Sequence, residues 1–72
     1  MSKVSFEIVE HIAVLHEGKW TKELNLVSWN GKEPKYDIRD WNEDHSQCGK
    51  GITLTNWEID ELVRAMNERN EA

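Results

Sequence analysis

The chain has little of what staples or punctuates a fold. It holds one cysteine, Cys48, one proline, Pro34, and four glycines in 72 residues. A lone cysteine excludes an internal disulfide framework and points to a reducing compartment. Long apolar runs are missing, and none approaches the roughly 20 residues that a membrane helix needs. The opening MSKVSFEIVEH has no basic stretch followed by an apolar run, so it does not read as a signal peptide. Together these absences predict a soluble, cytoplasmic protein with no membrane partner. Positive charge is also lacking overall, with a formal net charge of −5. That argues against a generic nucleic-acid binder, which is usually basic.

Catalytic and metal-binding signatures are equally sparse. No Ser-His-Asp or Cys-His spacing stands out, and a concave pocket is hard to build at this size, so the chain does not read as an enzyme. His45 and Cys48 have a metal-like separation, but a structural zinc site wants four ligands and only half a motif exists. Gly49-Lys50-Gly51 lacks the upstream glycine, the Ser/Thr and the directly following helix of a phosphate loop. No metal, cofactor or small-molecule substrate is expected.

What is present is aromatic surface. Four Trp, one Tyr and one Phe serve a chain that buries only about 60% of its unfolded surface. Tryptophan is a favoured anchor in cores and interfaces. Surplus Trp in a small chain favours a homodimer, in which two partial cores complete each other. The charge is also uneven. Residues 18–39 carry Lys19, Lys22, Lys32, Lys35 and Arg39 against three carboxylates, whereas residues 58–72 carry two arginines against five. A basic middle can attract an anion even when the whole molecule is acidic.

With no repeat, linker or low-complexity run, residues 1–72 read as one domain. FEIVEHIAVL is rich in β-branched residues and reads as a strand, either bulged or covered on both sides. WTKELNLVSWN follows as a second strand, with Trp20, Leu24 and Leu26 suited to a core. Asn30-Gly31 is a strong hairpin signal, since both residues tolerate positive φ. Pro34 delays the third strand, YDIRDW, until about Lys35. A polar loop over 42–49 leads to KGITLT, which places Ile52 and Leu54 inward. Thr55 and Glu58 form a capping box, and Ile59, Leu62, Val63 and Met66 fall at helical spacing over about 56–68. Asp60–Arg64 and Arg64–Glu68 are i,i+4 pairs. The predicted class is α+β: a four-stranded antiparallel curved sheet followed by a C-terminal helix, β-β-β-β-α, with one face left open.

Strand alternation puts Trp29 on that open face with Lys35, Arg39 and Trp41. Lys32 sits in the hairpin between the strands, and Lys22 has the opposite parity. Aromatic rings offer stacking platforms to bases, and the cations beside them can meet phosphates. Single-stranded nucleic acid suits this set, because duplex bases are already stacked. The competing reading buries both Trp in a dimer interface or second core. Trp20 and Trp57 read as core or dimer contacts.

The run KYDIRDW, a polar loop, then GKGITLT and a helix resembles the positive-cofactor-four family of transcriptional coactivators. It looks especially like the short bacterial branch known as YdbC. The motif is carried by Asp37, Ile38, Arg39, Trp41, Gly49, Lys50, Gly51, Ile52, Thr53 and Leu54, and the likeness runs from about Phe6 to Met66. The resemblance implies a homodimer whose C-terminal helices pack together and whose curved sheets bind single-stranded DNA. Trp29 matches the family's stacking aromatic, Lys32 its hairpin lysine, and Arg39 and Lys50 its further cations. Trp41 falls in its aromatic region. The loop departs from the pattern: it holds Glu43 and Asp44 and no cation before Lys50.

The expectation is therefore a dimeric single-stranded-DNA binder with slight sequence preference, acting in transcription, replication or repair in a bacterial cytoplasm. Its binding set is Lys22, Trp29, Lys32, Lys35, Arg39, Trp41 and Lys50. Its dimer contacts are Ile59, Leu62, Val63 and Met66, packed against Leu24, Leu26, Ile38, Ile52 and Leu54. RNA binding and a protein-interaction module with exposed Trp hot spots are the alternatives.

Overall fold

A computed structural model describes residues 5–71, though not the Glu71 side chain. Four strands form one antiparallel meander in the order β1-β2-β3-β4. They are β1 (Phe6–His16), β2 (Thr21–Trp29), β3 (Lys35–Trp41) and β4 (Cys48–Leu54), and α1 (Asn56–Glu71) follows. The class and element order expected from the sequence hold. The polar loop is shorter than expected, because β4 already begins at Cys48, which pairs with Trp41. Among the described residues, no helix is long and apolar enough to cross a membrane.

β1 is a bulged strand, and its bulges decide which face becomes a core. Register shifts fall between Ile8 and Glu10, His11 and Ala13, and Val14 and His16. Each shift sets two β1 residues against one on β2, which bends and twists the strand. Simple alternation is lost. Phe6, Ile8, His11 and Val14 instead oppose Trp29, Val27, Asn25 and Glu23 in turn. That single face therefore collects Phe6 and Ile8 from β1, four β2 residues, and Asp37, Arg39 and Trp41 from β3.

This crowded face is the core of the chain. Val27, Trp41, Glu23, Asn25 and Asp37 are all buried on it. The opposite face, expected to be the core, holds Leu24, Leu26, Tyr36 and Ile38 only half-buried, and Ile52 stays exposed. The physical reason is coverage. Phe6 of β1 and His45 of the 42–47 loop pack over Trp41 on the Trp29 face, whereas α1 touches only β3 and β4, and lightly.

α1 starts where the capping box predicts. The Glu58 amide donates to Thr55 Oγ1 at 3.2 Å, and the Thr55 amide donates to Glu58 Oε1 at 2.8 Å. Of its apolar stripe only Ile59 is buried; Leu62, Val63 and Met66 are about half exposed. Arg64 does pair with Glu68, but its second partner is Glu61 rather than Asp60. Asp60 lies instead beside a surface groove with Trp57.

Candidate nucleic-acid interface

The β2–β3 hairpin positions the aromatic and cationic residues. Asn30 and Gly31 both adopt positive φ, at 54° and 74°, and the Lys32 amide donates to the Trp29 carbonyl at 3.0 Å. The Ser28 hydroxyl donates to the Lys32 carbonyl at 2.6 Å. Trp29 is thereby fixed at the end of β2, with exposed Lys32 at the tip. Val27 pairs with Lys35, so Trp29 and Lys35 are diagonal neighbours on one face.

Trp29 itself is half-buried. Phe6 packs on it with ring centroids 5.8 Å apart, and the Arg39 guanidinium lies 4.8 Å from its centroid. Arg39 is only 17% exposed, because Asp37 accepts a hydrogen bond from its Nε at 2.6 Å. That bond outweighs desolvation and holds the guanidinium above its usual pKa. The other Asp37 oxygen accepts from Thr53 Oγ1 at 3.0 Å, which ties β4 to β3. A chain Thr53–Asp37–Arg39–Trp29 thus runs across three strands.

Trp41 corrects the expectation of a second exposed platform. It is 0% exposed, with the Phe6 ring centroid 5.0 Å away and the His45 ring 5.5 Å away. Parity put it on the right face, but that face is closed above it by Phe6 and the 42–47 loop. Lys22 is also displaced from the set: it lies on the opposite face, 3.3 Å from Asp40. Lys50 is exposed on β4, where a register shift faces Asp40. The expected seven residues therefore separate. Trp29, Lys32, Lys35 and Arg39 gather at one end, Lys50 stands apart, Trp41 is core and Lys22 faces away.

Sequence reasoning passed over the loop and the polar core. Asn42, Asp44 and Ser46 hydrogen-bond one another, and His45 takes φ 60°. The Ser46 hydroxyl and amide hold the Asp44 carboxyl below its usual pKa. This fold aims His45 Nε2 at Glu23 Oε2, 2.9 Å away. Glu23 also accepts from Asn25 Nδ2 at 3.0 Å, and His11 Nδ1 meets Asn25 Oδ1 at 2.8 Å. The buried polar residues Glu23, Asn25 and Asp37 are therefore each hydrogen-bonded, as burial demands, whereas the buried Nε1 atoms of Trp29 and Trp41 find no acceptor among the described residues. The signal available in the sequence was Glu23 and Asn25 alternating on the face of Val27 and Trp29. Among the described residues, no cluster of three or more His, Cys, Asp or Glu could hold a metal ion.

Gly51 is required by close approach. It pairs with Arg39, and a Cβ built there would collide with the Arg39 backbone and the Ile38 carbonyl. Gly51→Ala is expected to cost about 1–3 kcal/mol of stability, as forced overpacking does. Urea melts of the variant check this, with Gly49→Ala as the control, because a Cβ at Gly49 meets only ordinary contacts. Equal melts for both would remove the close-approach account.

Residues 16–65 match the family model for Transcriptional Coactivator p15 (PC4), well over half of the chain. The chain belongs to this family. The match covers the β2–β3 hairpin with Trp29, both motif strands and the start of α1, but not Phe6 and the rest of β1 before His16. An uncharacterized protein of Treponema pallidum (strain Nichols) is 52% identical over 48 residues, 67% of this chain. The matched stretch spans 56% of that relative's length.

Proposed function

We propose that this PC4-family chain binds single-stranded DNA as a homodimer. The observation that carries the reading is the hairpin end of the sheet, where half-buried Trp29 stands between exposed Lys32 and Lys35 within the family-matched segment. A base stacks against the Trp29–Arg39 pair, since both an indole and a guanidinium plane accept a base face. Lys32, Lys35 and Lys50 meet the phosphates. Arg39 acts mainly by holding the indole, because Asp37 already claims its charge. The Trp29 Nε1 donor is buried without an acceptor among the described residues. A base carbonyl or phosphate oxygen arriving beside it would supply one.

The dimer rests on uncovered apolar surface. Ile52, Leu62, Val63 and Met66 are all exposed. A second copy packing helix to helix would bury them with the half-open Leu24 face. Few side chains are placed to read base edges, so sequence preference is slight, and the family description supports a role in transcription or another process that exposes single strands.

Intrinsic Trp fluorescence during titration with oligo-dT tests the reading. Quenching by the single strand, but not by duplex, is the expected result. With three exposed lysines engaged, log affinity should fall against log salt with a slope of about −2 per protomer. Trp29→Ala should weaken binding by about 1–3 kcal/mol. A salt-independent signal would favour a hydrophobic protein partner. An Ala variant that binds like the parent would remove Trp29 from the site. Parallel titration with RNA of the same sequence measures the preference between the two strands.

A further inference from the structure

Trp57 is 82% exposed, the most exposed of the large hydrophobic side chains described. Neither a core nor a helix-to-helix dimer contact explains it. At 3.6 residues per turn, Trp57 shares its side of α1 with Asp60, Glu61 and Arg64. The apolar stripe of Ile59, Leu62, Val63 and Met66 lies on the other side. Packing two such stripes together leaves Trp57 in water.

It does not stand on a bare helix surface. A groove of about 410 Å³ is lined by Glu33, Pro34, Lys35, Asn56, Trp57 and Asp60. β4 ends beside the start of β3, with Leu54 opposite Tyr36, so the first turn of α1 meets the hairpin just past Pro34. Lys35 is thus common to two indoles. It is the diagonal neighbour of Trp29 on the sheet, and it lines the groove of Trp57.

We infer that Trp57 and its groove form a second base-stacking subsite, which takes the nucleotide next along the strand from Trp29. This rests on the single-stranded-DNA reading and extends it. Lys35 meets the phosphate that joins the two stacked nucleotides. Asp60 and Glu33 repel phosphate from the groove itself, so a base face enters and the backbone stays at Lys35. The carboxylates accept hydrogen bonds from base N–H groups. Nothing in this arrangement needs Trp41, which stays in the core.

The test measures affinity of the parent and Trp57→Ala for an oligo-dT length series. Circular dichroism and melting should be unchanged, because the side chain is exposed. The parent should gain affinity in two steps as the oligomer lengthens, and Trp57→Ala should lose the later step, about tenfold for long oligomers. Trp57→Phe should keep part of it. If the parent binds and Trp57→Ala matches it at every length, the subsite is overturned while the Trp29 reading stands; Trp57 is then free for a protein partner. If the parent binds no single strand at all, both fall together.

Discussion

Trp41→Ala should lose about 3–5 kcal/mol of stability, the usual cost of deleting a large buried aromatic. The ring is fully buried between Phe6 and His45, so the space left has no ready filler. Small domains stand near the low end of the 5–15 kcal/mol range of folding stability. The variant should therefore be largely unfolded at room temperature. Trp41→Phe keeps most of the apolar contact and should cost clearly less. Urea unfolding at one fixed protein concentration is the proper comparison, since the proposed dimer would make stability depend on concentration. The alternative has a distinct signature. A Trp41→Ala chain that melts like the parent but loses affinity for oligo-dT would make Trp41 a platform after all, reached by opening the 42–47 loop.

The second large effect is expected at Asp37. Its carboxylate is fully buried and accepts from both Arg39 and Thr53. Asp37→Ala strands the Arg39 guanidinium in a mostly apolar setting. Breaking a buried pair from one side costs about 3–5 kcal/mol. The lower end applies here, because Arg39 keeps some contact with water. The double variant Asp37→Ala/Arg39→Met removes the stranded charge and should recover much of the loss. Near-UV circular dichroism gives a second readout, because Arg39 lies over Trp29. If the double variant is as unstable as the single one, the penalty comes from the lost β3–β4 tie through Thr53, and the stranded charge is not its source.

The element order was legible because each local signal agreed with the fold. Asn30-Gly31, Pro34 and the Thr55–Glu58 box each marked a boundary that the structure keeps. The face that becomes the core was not legible. Leu24, Leu26 and Ile38 outweigh Glu23, Asn25 and Asp37 in apolar character, so alternation chose the wrong side. The choice was reversed by three bulges in β1, which no period-two pattern displays, and by a loop whose short polar residues fold His45 back onto Glu23. Once the Trp29 face is closed from above, its polar residues can be buried only because they satisfy one another. The candidate site was legible as a residue set but not as a shape. Trp29, Lys32, Lys35 and Arg39 do gather; the parity of Lys22 already set it on the other face, whereas Trp41 needed knowledge of which face closes.

The bulges also bear on how the chain behaves when crowded. β1 is an eleven-residue edge strand with Val9, Ile12 and Leu15 exposed along it. A flat edge of that length and composition would template fibril growth. Here the ladder shifts register every third residue, so an incoming strand cannot keep one continuous pairing along the edge. The register shifts that set Phe6 over the core also make the outer rim of β1 a poor template for a straight incoming strand.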